Sequence, residues 1–191
     1  MAQLSYNYTT PKGVAGGLYD ISPYSVDSRQ NGEESANALK FGMGAVQGAT
    51  PGVDIKRPAS SDTEDKFEGL VLTSFVSEMD MLGEIKLYPS QTVGVLRYGK
   101  AWARIASDLT TSYGEPLYLI KSGADAGLFT NSESGNLAVN GRFIGTADSS
   151  DIAPVELYNS PAIGSVVKSV TGGTGIAVNN ADPQNPVVSA T

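Results

Sequence analysis

There is no cysteine and no histidine anywhere in the 191 residues. No disulfide can staple this fold, so packing or assembly must hold it together. Zinc, copper and iron lose their usual nitrogen and sulfur ligands. Nucleophilic catalysis through Cys or His is excluded. Charge is also scarce, at 17% of residues where a quarter is usual. The balance is acidic, −7, and the 13 Lys and Arg are scattered singly, Lys56-Arg57 being the closest pair. A net acidic chain with no basic run repels nucleic acid. No apolar run approaches the ~20 residues of a membrane-spanning helix. The opening Met-Ala-Gln-Leu-Ser-Tyr-Asn-Tyr lacks the basic and apolar regions of a secretory signal. The expectation is therefore synthesis in the cytoplasm, with no nucleic-acid or membrane partner. Asn7-Tyr8-Thr9 matches a glycosylation sequon, which in that setting is a chance match.

What the chain does have is glycine, 22 residues, with 10 prolines. That is the profile of a turn-rich, β-rich fold. Residues 1–35 read as an irregular arm with Tyr6, Tyr8, Pro11, Tyr19 and Tyr24. Tyrosine offers large contact area at little rotamer cost, which suits contacts between proteins. The alternative is that these tyrosines cover the chain's own core edge. Residues 33–39 have room for one helical turn. Phe41-Gly-Met-Gly-Ala-Val alternates large and small, as in a strand closely approached by another backbone. Strands are expected over 67–76, 92–98, 101–106, 116–120 and 153–158, with a short apolar segment at 82–87. Trp102 should lie on the opposite face from Ala101 and Ala103. Gly99-Lys100 reads as a turn, and Asn140-Gly141 as the strongest two-residue hairpin signal in the chain. Turns recurring every 8–15 residues argue for an all-β sandwich or barrel.

The catalytic motifs fail one by one. The glycines at 42, 44 and 48 have the wrong spacing for a nucleotide loop, and no Walker lysine follows. The same test removes 172–175 as a phosphate cradle. There is no GxSxG elbow. Carboxylates group at Glu78 with Asp80, at Asp62 with Glu64 and Asp65, and at Asp148 with Asp151. Such pairs serve glycoside hydrolysis or calcium binding, but all three sit in polar, turn-like segments and read as solvated loop charge. The expectation is a protein that is not an enzyme and carries no cofactor or metal.

The tail has a character of its own. Val166, Val167 and Val170 form one β-branched run, Ile176 and Val178 a second, Val187 and Val188 a third. Glycines at 172, 173 and 175 separate the first two, and residues 182–186 separate the last two. An isolated hairpin of this size is marginal in water, and the segment has too little apolar volume to offset its ordering entropy. Other copies of itself would supply the missing surface, through Val166, Val170, Ile176, Val178 and Val187. A flexible linker is the competing reading.

The segments 93–105, 113–119, 127–130, 141–147 and 153–157, in that order, resemble the structural cement or decoration proteins of tailed bacteriophages. The tail resembles the Gly-rich β-repeats of phage fibre and head-fibre proteins, in which several chains, usually three, wind together. The first resemblance implies a small β-domain docked on the outer face of a capsid and clamping neighbouring capsomers. Its partner would be the major capsid protein, its place the virion surface, and its site of synthesis the host cytoplasm. The second resemblance implies a homotrimer. The organisation expected is an arm at 1–35, a β-sandwich or barrel at 36–158, and a linker with an intertwined β-stem at 159–191. The alternative is a fibre or adhesin subunit that binds a host surface glycan. Against it stands the order of parts, globular region first and repeat last, which favours anchoring through the globular domain.

Overall fold

The computed structural model describes residues 13–73 and 86–158, together with two strands of the tail, 176–179 and 187–190. It is all-β, 2% helical and 40% strand. The strands are β1 (Ser25–Asn31), β2 (Gly44–Gln47), β3 (Asp54–Lys56), β4 (Phe67–Val71), β5 (Thr92–Arg104), β6 (Pro116–Leu119), β7 (Phe129–Thr130), β8 (Leu137–Phe143), β9 (Ile152–Leu157), β10 (Ile176–Asn179) and β11 (Val187–Ala190). The one helical element among the described residues is a single 3-10 turn, Glu64–Lys66.

The order β1-β3-β2-β4-β5 returns on itself, because β1 also pairs with β5, from Ser25↔Tyr98 to Gln30↔Thr92. That closes a five-stranded barrel. A closed sheet leaves no edge for another chain to pair with. The second half of β5 leaves this barrel and begins a sheet of order β5-β9-β8-β6-β7. A bridge between Ile105 and Phe129 carries β7 back to the end of β5. One thirteen-residue strand thus serves both halves.

Two clusters of buried side chains follow. Leu39, Phe41, Met43, Ala45, Ile55, Val71, Leu87, Val93 and Val95 fill one. Leu96, Ala101, Ala103, Leu117, Phe129, Phe143, Val155 and Leu157 belong to the larger one. Neighbours in sequence point into different clusters: Ala45 and Val46 on β2, Leu70 and Val71 on β4. These strands are buried on both faces, which is why they read as continuous apolar runs. Burying a Leu or Phe of this kind contributes ~1.5–3 kcal/mol.

The expected strand at 67–76 is β4 as far as Val71, and 74–85 lies outside the described residues. Trp102 is half-buried between the buried Ala101 and Ala103, on the opposite face as expected. Three local expectations are overturned. Residues 33–39 form turns and no helix. Gly99-Lys100 is not a turn, since β5 runs straight through it. Gly99 has φ of +126°, and a Cβ there would lie 2.7 Å from that of Tyr24, so glycine lets the arm cross the strand. Asn140-Gly141 is not a hairpin either, since β8 spans both residues. The register shifts there, with Leu117 opposite Val139 but Pro116 opposite Arg142. The two extra residues form a bulge from which β8 turns to pair with β9, Gly141↔Leu157. The irregular stretch also ends sooner than expected, at Tyr24, because Ser25–Asn31 is the strand that closes the barrel.

Candidate functional site

Residues 13–24 begin as backbone threaded between β5 and the end of β4. The Gly16 amide donates to the Trp102 carbonyl at 2.8 Å, and the Trp102 amide to the Gly17 carbonyl at 2.9 Å. The Tyr19 amide donates to Lys100 and the Thr73 amide to Gly16, at 3.0 and 2.9 Å. Small residues make the passage possible. A Cβ on Gly16, whose φ is +79°, would sit within 3.0 Å of backbone atoms of Thr73, Val71 and Gly42. A Cβ on Gly13 would overlap the Trp102 indole. The Tyr19 ring lies against the same indole, 5.4 Å between centroids.

From Leu18 onward the arm turns its apolar side chains to solvent. Leu18, Tyr19, Ile21 and Tyr24 are 39%, 42%, 100% and 51% exposed, and Val14, earlier, 68%. Asp20 pins the row from beneath. It accepts from Lys100 Nζ at 2.9 Å and from the Ser22 amide at 2.9 Å, and it is bonded to the Ser22 hydroxyl. The Ser22 hydroxyl first, then Lys100, hold its carboxyl at about 2, well below the usual carboxylate range. The same pairing raises the Lys100 ammonium. Of the tyrosines singled out in the sequence, Tyr19 and Tyr24 both lie along β5. Tyr6, Tyr8 and Pro11 fall outside the described residues. The arm's backbone covers part of β5, and its larger side chains are exposed.

At the other end of the chain, β10 and β11 pair antiparallel, Ile176↔Ala190 through Asn179↔Val187. The second and third β-branched runs therefore meet each other. Val166 and Val170 lie outside the described residues.

Sequence reading missed three arrangements. Asp62 is not a solvated loop charge. It is 2% exposed, accepts from the Ala59 amide at 2.8 Å, and pairs with Lys56 and Lys66 at 3.2 and 3.1 Å. Burial raises its pKa, but the Ala59 N–H, Lys66 and Lys56 together outweigh that and lower it. Glu68, also buried, is ion-paired with both Arg29 (3.5 Å) and Arg97. Arg142 pairs with Glu156 at 2.9 Å and lies over the rings of Tyr113 and Tyr158, 5.0 and 5.9 Å from their centroids. The partners of Glu68 and Arg142 are distant in sequence, so no local pattern marks them, whereas those of Asp62 lie within six residues, Lys66 at i+4. Glu78 and Asp80 lie outside the described residues, and Asp148 holds its own turn by accepting from the Ser150 and Ile152 amides. Among the described residues no group of three or more acidic side chains is placed to hold a metal ion.

A family model described as structural cement protein (E217 gp24/Pam3 gp6) matches residues 2–158. Among solved structures, a chain from "The capsid of Myoviridae Phage XM1" is similar in fold, with a TM-score of 0.59 at 21% identity. That similarity covers 82% of this chain and 99% of the other. Comparison with curated proteins gives no match.

Proposed function

The chain belongs to the structural cement protein family, whose members stabilise phage capsids, and from that membership we propose how it grips the shell. The β-domain docks on the outer capsid face through the arm, the row Leu18, Tyr19, Ile21 and Tyr24 meeting the major capsid protein. The supporting observation is that this row is solvent-exposed yet mounted on hydrogen bonds to β5. A row whose backbone is already held in place loses little backbone freedom on binding, which is the usual economy of a preorganised interface. Tyr6, Tyr8 and Pro11 extend the same surface. Contact with two neighbouring capsomers at once would favour the assembled shell over its parts, and by linkage raise its stability. The role requires no chemistry, and the absence of His and Cys fits that. In this reading the tail, 159–191, is a separate oligomerising stem on a homotrimer.

Deleting the whole arm would be a poor test, because residues 16–19 complete the hydrogen bonding of β5. The double variant Ile21→Ser, Tyr24→Ser removes the most exposed part of the row and spares both the backbone and the Tyr19–Trp102 contact. It should melt like wild type and fail to pellet with capsids lacking the native protein. Equal pelleting of the two proteins would move the interface elsewhere.

A further inference from the structure

Among the described residues, Arg29, Lys56, Lys66, Arg97, Lys100 and Arg142 are held in ion pairs. Lys40, Arg57, Arg104 and Lys121 are in none of these pairs, and all four line two adjoining clefts. One, about 360 Å³, holds Lys40, Arg57 and Arg104. The other, about 390 Å³, holds Arg57 and Lys121. In a chain of net charge −7, four of the described cations outside those ion pairs converge on one place.

Two of them are fixed by backbone carbonyls. Arg57 donates from Nε to Ala126 at 2.9 Å and from a terminal nitrogen to Ala124 at 2.8 Å. Arg104 donates from Nε to Phe41 at 2.9 Å. Its two terminal nitrogens take no bond from the described residues, so they offer a preset fork to a carboxylate. The competing acids of the lining are partly occupied. Glu33 accepts from the Arg57 amide and Asp151 from the Asp108 amide. With Asp125, they leave the clefts only mildly positive, which suits one or two carboxylates and disfavours a dense polyanion. The chain's overall charge disfavours a polyanion as well.

We propose that these clefts seat an acidic peptide segment of the capsid protein, its carboxylates on Arg104 and Lys40. This rests on the capsid-binding reading above and adds a second contact to it. The site adjoins the arm. Phe41 holds Arg104, and the next residue, Gly42, lies against Ala15 and Gly16. One partner chain can therefore engage both. The apolar row would supply contact area, and the clefts would supply register and salt dependence.

The test uses the full chain and its variant Lys40→Glu, Arg104→Gln, checked for an unchanged melt. A short fluorescent poly-glutamate peptide is titrated against both proteins at low and high salt. Inorganic phosphate and a short single-stranded oligonucleotide are the competitors. Wild type should bind the peptide in a salt-sensitive way, and the variant roughly tenfold more weakly, as expected when two surface ion pairs are removed together. Capsid pelleting should show the same weakening and a shallower salt dependence. No peptide binding, equal binding by both proteins, or preferential displacement by the oligonucleotide overturns the proposal. If wild type binds the peptide but not capsids, it is the capsid reading that fails and the cleft that stands.

Discussion

Asp62 shows what a single side chain does here that its neighbours in sequence do not reveal. It lies in a polar stretch, Ala59-Ser-Ser-Asp-Thr-Glu-Asp, that reads as loop. Yet it is buried and closes its own turn by accepting from the Ala59 amide, with Lys56 and Lys66 over its other lone pairs. Nothing in the local pattern separates Asp62 from Glu64 or Asp65, because the distinction depends on where Lys56 at the end of β3 comes to rest. Asp62→Asn should cost roughly 1–3 kcal/mol at neutral pH, the range for removing a buried charged hydrogen-bond partner. The sign with pH follows from the direction of the shift. The folded carboxyl is held below its ordinary value of 3.8, so its stabilisation is complete above that pH and is lost as pH falls through the lowered value. Denaturant melts from pH 7 downward should therefore converge for wild type and variant below about pH 4. A constant gap over the whole range would mean that Asp62 contributes through shape and not through charge.

At the scale of elements, β4, β5, β6 and β9 were legible, whereas β1, β3, β7 and most strand ends were not. Alternation in β5 and the apolar runs of β4, β6 and β9 mark their positions, since one or both faces of each are buried. The two errors with most consequence, at Gly99-Lys100 and Asn140-Gly141, share a cause. A glycine beside a polar residue signals a turn locally, but it also permits close approach by another segment. At Gly99 that segment is the arm. At Gly141 it is the backbone of Glu156, whose carbonyl a Cβ would overlap. Which role glycine plays is decided by tertiary structure. The arm was half legible for the same reason: its tyrosines set the segment apart, but the pairing of Gly16 and Gly17 with Trp102 has no local signature. Trp102 is the arm's platform, with Gly13 and Tyr19 on its indole. Trp102→Ala should release the arm and leave the five-stranded barrel folded. Hydrogen exchange would show this as faster exchange at the Gly16 and Tyr19 amides with β1 and β4 still protected. Unchanged protection at Gly16 would mean that backbone pairing alone holds the arm.

For the whole molecule, the open matter is how many copies act together, and the tail is where that can be settled. The barrel closure between β1 and β5 leaves that half without a free edge, so it has little reason to associate by strand pairing. The tail is different. Within the described residues β10 and β11 form a sheet of two strands, four residues each, that pairs with nothing else. A hairpin of that size is marginal in water and gains stability from further strands or a packed face. The family match ends at 158, so this segment lies beyond what the cement domain requires. Three copies around one axis would bring together three hairpins carrying Ile176 and Val178, with Val188 paired to Val178 and Val187 to Asn179, and with Val166 and Val170 nearer the barrel in sequence. Each buried Val or Ile is worth ~1.5–3 kcal/mol, enough from a handful per chain to overcome the cost of association. Truncation after Asn159 should then give a monomer where the full chain should sediment as a trimer. The double variant Val178→Asp, Ile176→Asp should do likewise, because like charges would meet near the axis without partners. If full and truncated chains sediment as one species, the hairpin does not assemble the protein. Any clamping of capsomers would then have to come from a single β-domain.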